Sequence, residues 1–295
     1  MEKRKLGKTG MDVTVLGFGA AEIGFRGVPQ DTVDRLINGA LDAGLNIIDT
    51  AECYPASEEK IGQAVSSRRD EFFLFSKTGH EGDGDHWNPA KMAAAVDRSL
   101  KLLQTDRLDL LQLHSCSEEQ LRQGHVVEVV QRARDAGKTR FIGYSGDGRA
   151  ALHAVESGVF DTLQISVSIA DQEALDLVLP AAQKRGLGVI AKRPIANAIW
   201  KQSSKPDPYY QAYWERLHQL DYDFLKGDLK QAVGTALRFT LSADGVHTAI
   251  VGTTQPGRWR ENAELLKAGP LDESAIQAIR SRWKSVATSD WTGQT

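Results

Sequence analysis

The chain has 295 residues, of which 41% are hydrophobic and 25% charged. That balance excludes disorder as the main state and permits a sizeable core without disulfides. Its 36 Lys plus Arg against 39 Asp plus Glu leave a net charge of −3, which gives no global attraction to nucleic acid or an acidic membrane.

No apolar run reaches the ~18 residues of a membrane span. The stretch Met1 to Gly7 is charged and lacks the apolar core of a signal peptide. Cys53 and Cys116 are the only cysteines, too few for a secreted disulfide framework, so a reducing cytoplasm is the expected compartment.

Short β-rich runs alternate with longer amphipathic ones. Lys3 to Val13, with Thr9-Gly10 in its middle, reads as a hairpin. Val15 to Gly19 reads as a strand. Asp31 to Ala43 reads as a helix with Val33, Leu36, Ile37, Ala40 and Leu41 on one face, stopped by Gly44. Leu45 to Asp49 is a strand, Glu58 to Val65 a short helix and Phe72 to Ser76 a strand. Pro89 opens a helix carrying Met92, Ala95, Val96, Leu100 and Leu103.

Leu108 to Leu113 is the next strand, followed by a helix over Val126 to Ala136. Strand Arg140 to Tyr144 precedes helix Ala150 to Ser157. Strand Thr162 to Val167 precedes helix Asp171 to Lys184. Strand Gly188 to Ala191 leads into an irregular stretch from Arg193 to Gly227, then helix Leu229 to Leu241. Thr248 to Val251 is the last strand, followed by a helix from about Pro256 to Leu266. Asp272 to Val286 reads as an extra C-terminal helix. Eight strand–helix units in ~250 residues predict an α/β fold, a closed (β/α)8 TIM barrel forming a single domain over 1–295.

Active sites of such barrels lie at the C-terminal strand ends. Asp49 and Tyr54 follow the second strand, Lys77 the third and His114 the fourth. Each alone has a plain structural reading: a cap or surface acid, a packing ring, an ion-pair partner, a half-buried imidazole. Together, on three adjacent strand ends, they make a proton-relay site. There is no dinucleotide-binding glycine fingerprint, because Gly17-Phe18-Gly19 is followed by Ala20-Ala21-Glu22. The turn Gly252-Thr253-Thr254-Gln255-Pro256 before a helix offers an anion site instead. The tract His80-Glu81-Gly82-Asp83-Gly84-Asp85-His86 has metal-ligating residue types but reads as a solvated loop, and no metal site is expected.

The sequence resembles the aldo-keto reductase family over nearly its whole length. The resemblance rests on Leu16 to Gly19, Asn46 to Tyr54, Phe75 to Thr78, Leu113-His114, Gly137 to Ser145 and Ile250 to Asn262, in that order and spacing. It implies reduction of an aldehyde or ketone to an alcohol with a nicotinamide cofactor, usually NADPH, with NADH as the alternative. The small-molecule carbonyl is then the expected partner.

The family's catalytic tetrad falls on Asp49, Tyr54, Lys77 and His114. Tyr54 would donate the proton, with Lys77 lowering its pKa and Asp49 holding Lys77. His114 would orient the carbonyl. The same resemblance assigns Gly19, Ala20, Ala21, Asp49, Ser145, Gln164, Lys192, Pro194, Ala196, Gly252, Thr253, Thr254, Arg258, Glu261 and Asn262 to the cofactor. Arg258 would take the 2′-phosphate. The chain departs from many relatives at Pro55, at Gly146, at Lys192-Arg193 where an aromatic residue is common, and at Gly252. A nucleotide-binding regulatory or redox-sensing barrel with little turnover is the competing reading. The sequence carries no indication of oligomeric state.

Overall fold

The computed structural model describes residues 1–80 and 86–294. An antiparallel pair, β1 (Lys3–Lys5) and β2 (Asp12–Thr14), precedes eight parallel strands. These are β3 (Leu16–Gly19), β4 (Ile47–Asp49), β5 (Phe73–Thr78), β6 (Leu108–His114), β7 (Thr139–Ser145), β8 (Thr162–Ser166), β9 (Gly188–Lys192) and β10 (Thr248–Val251). They close in chain order, β10 pairing with β3. The expected barrel is therefore the fold, with the hairpin before it and a helix over Glu273–Val286 after it.

The barrel interior is layered by the two-residue period of a strand. Ile47, Phe75, Leu110, Ile190 and Ile250 form one apolar layer, closed from below by Leu6, Met11 and Val13 of the hairpin segment. Two residues further along the same strands stand Asp49, Lys77, Gln112 and Lys192, and just past β10 stands Gly252. A polar layer thus lies directly on the apolar one, at the C-terminal strand ends. Register aligns it: Gly19 pairs with Asp49, His114 with Ser145, and Ser145 with Gln164.

Outside the strands the helices bury their predicted faces. Helix Gln30–Asp42 buries Val33, Leu36, Ile37, Ala40 and Leu41, and ends before Gly44 at φ +96°. Helix Pro89–Leu102 starts with proline at its first turn, and Asn88 accepts from the Ala90 and Lys91 amides at 3.0 and 3.2 Å.

The structure differs from the sequence expectation in two places. The single helix over Asp171 to Lys184 is instead Glu173–Leu177 and Leu179–Arg185, with Val178 off helical geometry at φ −117°. Pro180 has no N–H to continue the ladder, so a second helix starts around it. The stretch Arg193 to Gly227 is not irregular throughout. It holds a 3-10 segment, Ala196–Lys201, and a helix, Pro208–Leu220. Pro208 is the helix's first residue, and Tyr213, Leu217 and Leu220 are buried beneath it.

Helix Ser57–Val65 approaches helix Pro89–Leu102 through Gly62, where a Cβ would stand 2.1 Å from the Leu102 carbonyl oxygen. Gly39, exposed within Gln30–Asp42, has nothing within 4 Å of the same position. Chemical denaturation should show Gly62→Ala destabilised by about 1–3 kcal/mol, the range for overpacking. Gly39→Ala should gain about 0.5–1 kcal/mol from helix propensity alone. Equal responses would mean that the helix contact is looser than the geometry states.

Candidate active site

Lys77 is the last interior-facing residue of β5, with 1% of its side chain exposed, and its Nζ donates to Asp49 Oδ1 at 2.5 Å and to the Thr50 carbonyl at 2.7 Å. Asp49 also accepts from Gln164 Nε2 at 3.3 Å and Gln112 Nε2 at 3.4 Å, while Gln112 donates to Gln164 Oε1 at 2.7 Å. The polar layer is thus a connected network around one ion pair. Burial pulls Lys77 down, but attraction to Asp49 and the hydrogen bond between them outweigh it and hold the ammonium above its usual range. Burial pushes the Asp49 carboxyl up, against the Lys77 charge and the two amides.

Tyr54 stands in the turn after β4. That turn is fixed to β5 by Thr50 N–H to the Phe75 carbonyl at 2.9 Å and Glu52 N–H to the Lys77 carbonyl at 3.2 Å. The Lys77 ammonium lies 5.3 Å from the Tyr54 ring centroid. The His114 ring meets Tyr54 edge-on at 5.8 Å. Asp49, Tyr54, Lys77 and His114 all line one cavity of about 270 Å³ at the barrel's C-terminal end.

The expected lowering of the Tyr54 pKa does not occur. Burial raises it, the Lys77 charge lowers it, the Asp49 carboxylate raises it again, and the net direction is upward. Tyr54 is therefore held as a protonated phenol. Burial, then the charges of Lys77, His80, Lys192 and Arg193, push His114 well below the usual imidazole range, so its ring is neutral.

The residues assigned to the cofactor divide between two adjoining hollows. Gly19, Ala20, Ala21, Asp49, Ser145, Gln164, Lys192 and Pro194 line the cavity beside Tyr54. Thr253, Thr254, Arg258, Glu261 and Asn262 line a groove over β10 and helix Arg258–Leu265. Gly252, Val251, Glu22, Arg26, Ile195 and Asn197 border both, so the two are continuous. Ala196 lines neither: it is fully buried in the packing under helix Pro208–Leu220. Its neighbour Asn197 does line both, at φ +55°, and its buried Nδ2 has no hydrogen-bond partner.

Asn197 and Arg26 border the cavity but carry no sequence expectation, whereas Tyr209 and Tyr210, from the aromatic-rich stretch that could either cover the site or pack a helix on the rim, also border it. An asparagine inside a proline-punctuated stretch, able to adopt the left-handed region, was the available signal for the first.

Two departures from relatives have steric causes. A Cβ at Gly146 would stand 2.4 Å from the Tyr144 hydroxyl, which donates to the Cys116 carbonyl at 2.7 Å. A Cβ at Gly252 would meet the Gly19 carbonyl oxygen at 3.0 Å. Lys192 is paired with Asp147 at 2.8 Å, and Asp147 also accepts from the Ser166 amide at 2.7 Å. Arg193 donates to Ser166 Oγ at 3.2 Å, to the Tyr209 hydroxyl at 3.2 Å and to the Gln294 carbonyl. Arg258 is tied within its own turn, to Glu261 and to Gln255 Oε1, each at 2.7 Å.

Glu81 to Asp85, the centre of the histidine-flanked acidic tract, lie outside the described residues. Among the described residues no group of three or more His, Cys, Asp or Glu is placed to hold a metal. No helix among them is long and apolar enough to cross a membrane.

A closed eight-stranded barrel with a Tyr–Lys–Asp–His cluster at its rim defines an oxidoreductase of the aldo-keto reductase type. The Aldo/keto reductase family model matches residues 15–284, and the chain belongs to that family. It is 27% identical to L-galactose dehydrogenase of Arabidopsis thaliana, covering 99% of this chain and 97% of that one. It is 26% identical to the uncharacterized oxidoreductase YqkF of Bacillus subtilis, covering 96% and 97%. The solved holo form of the aldo-keto reductase AKR11C1 from Bacillus halodurans superposes with a TM-score of 0.83 at 25% identity, over 98% of this chain and 99% of that one.

Behind the Arg193 wall, Asp171 accepts from the Tyr213 hydroxyl at 3.0 Å and lies 3.9 Å from Arg216. Burial and then Asp147 push its carboxyl up to about 7, against Arg216 and Tyr213. An unfolded aspartate titrates near ~3.9, so between these values the native state holds a proton that the unfolded chain has released. The resulting stabilisation is full below about pH 4 and is lost as pH rises to about 7. Asp171→Asn is neutral throughout. Urea unfolding should show the wild type losing stability relative to Asp171→Asn from about pH 4 to about pH 7, by up to ~1.4 kcal/mol per unit, and running parallel above. Parallel curves over the whole range would mean an ordinary carboxylate.

Proposed function

We propose that this protein reduces an aldehyde or ketone to an alcohol with NADPH, and that Tyr54 is the proton donor. The observation that carries this reading is the meeting of a protonated Tyr54, a charged Lys77 and a neutral His114 on one cavity wall. The L-galactose dehydrogenase and D-threo-aldose 1-dehydrogenase among its relatives suggest sugars and their carbonyl forms as a first substrate panel.

When bound, NADPH supplies the hydride that attacks the carbonyl carbon. The carbonyl oxygen then gains negative charge, and two neutral donors face it. Tyr54 gives that oxygen its phenolic proton, and His114 donates a hydrogen bond to it. The phenolate left on Tyr54 is stabilised by the Lys77 ammonium. Asp49 and the Thr50 carbonyl hold that ammonium in place. A raised tyrosine pKa suits this direction, because the donor stays loaded at neutral pH.

The groove fits a dinucleotide. Small residues Gly19, Ala20 and Ala21 leave room at its inner end, where Ser145 and Gln164 present side chains able to bond a carboxamide. Asn197 Nδ2 is a buried donor without an acceptor, and Lys192, Pro194, Gly252, Thr253 and Thr254 line the passage outward. Arg258, Glu261 and Asn262 would hold the adenosine end, with Arg258 on the 2′-phosphate. A redox-sensing thiol finds no support here. Burial pushes Cys53 up to about 11 and Cys116 up to about 12, so neither is a thiolate at neutral pH.

Fluorescence titration with NADPH and NADH, followed by turnover of an activated aldehyde, tests the reading. Tyr54→Phe should lower kcat by about 10²–10⁴-fold, the range for a lost proton donor, and leave NADPH binding unchanged. Turnover that survives in Tyr54→Phe would assign the proton elsewhere. Arg258→Ala should weaken NADPH binding by about tenfold or more, the worth of a charge-assisted hydrogen bond, with NADH little affected. Equal loss for both nucleotides would remove Arg258 from the 2′-phosphate.

A further inference from the structure

Only one nitrogen of a neutral imidazole carries a proton, and its partners decide which. His114 is held on three sides. The Tyr54 ring meets it edge-on at 5.8 Å, and the His80 ring packs at 4.9 Å. The third contact is chemical: Cys53 Sγ lies 3.5 Å from His114 Nδ1. Cys53 is half-buried and directly precedes Tyr54, so the turn that presents the phenol also presents the thiol.

We propose that Cys53 is a positioning residue, whose S–H donates to His114 Nδ1 and thereby keeps the ring proton on Nε2, the nitrogen left to face the carbonyl oxygen. This inference rests on the reductase reading of the site.

Two arrangements satisfy the 3.5 Å contact. In one the thiol donates to a bare Nδ1. In the other Nδ1–H donates to sulfur. Burial keeps the thiol protonated, and burial with the surrounding cations keeps the imidazole neutral, so each group holds one proton. An unprotonated imidazole nitrogen is a good acceptor, whereas a thiol sulfur is a weak one, which favours the first. The second would also turn a bare Nε2 lone pair toward the lone pairs of the carbonyl oxygen. Such a site would repel the charge that develops in the reaction. An aliphatic residue in place of Cys53 would fill the space and leave the tautomer undetermined.

The test reads the tautomer directly. Protein labelled with nitrogen-15 histidine is examined by multiple-bond nitrogen–proton NMR, with the His114 signals assigned by their loss in His114→Gln. The wild type and Cys53→Ser, whose hydroxyl donates in the same way, should show Nε2–H. Cys53→Ala should show a mixture of both tautomers. In Cys53→Ala, kcat for a carbonyl substrate should fall about threefold to tenfold, as for loss of one hydrogen bond, while Cys53→Ser stays within about twofold of wild type. NADPH dissociation should not change in either. Nδ1–H in the wild type, or undiminished Nε2–H in Cys53→Ala, overturns the proposal. Spectra as expected, in a wild type that turns over no carbonyl, would sink the reductase reading and leave the tautomer assignment standing.

Discussion

Lys77 and Asp49 meet at 2.5 Å with almost no access to water. Removing such charges from solvent costs several kcal/mol for each, and their mutual attraction offsets this only with good geometry and additional hydrogen bonds. The upper layer of the barrel interior supplies those bonds. The Thr50 carbonyl takes a second ammonium proton, and Gln112 and Gln164 complete the carboxylate. Neither charge can be moved or removed alone without stranding the other. The pair therefore fixes where Tyr54 and the cavity floor must lie, and it does so from strands, the most rigid elements available.

The same pair modulates the protonation of its neighbours, which burial sets first. A lone ammonium beside Tyr54 would drive it toward phenolate. With Asp49 immediately behind, much of that influence is cancelled, and burial decides the outcome in favour of the phenol. Burial first, and then cations at Lys77, Lys192 and Arg193, leave His114 neutral. Burial and this arrangement of charges together leave a protonated phenol and a neutral imidazole side by side. This is what a carbonyl oxygen gaining charge requires.

Most of this layout was legible in the sequence because a strand repeats every two residues. Ile47 before Asp49, Phe75 before Lys77 and Leu110 before Gln112 state both the apolar layer and the polar layer above it. The strand ends followed from that pattern, and the proposed catalytic roles of Asp49, Tyr54, Lys77 and His114 from the family resemblance. The sign of the Tyr54 shift did not follow. It depends first on how deeply the ring is buried and then on how far the Asp49 charge offsets that of Lys77, which are matters of packing and distance rather than residue types. Pro180 and Pro208 were misjudged for a related reason. A proline marks either a break or a first turn, and only the residues packed beneath it decide which. That Asn197 rather than Ala196 lines the hollows was not legible, because chain direction after β9 is set by backbone geometry that composition does not encode.

That geometry is costly and must be held by its surroundings. Arg193, Ala196, Asn197 and Ala198 all lie at positive φ, where a residue with a Cβ loses about 1–2 kcal/mol. The constraints are local and specific. Ala196 N–H bonds the Arg193 carbonyl at 2.8 Å, and Ala198 N–H bonds the Ile195 carbonyl at 2.7 Å. The Thr240 hydroxyl donates to the Pro194 carbonyl at 3.1 Å, and Ala196 and Ile199 are buried against helix Pro208–Leu220. The strained segment runs between the cavity beside Tyr54 and the outer groove: Arg193 lines the cavity, and Asn197 lines both.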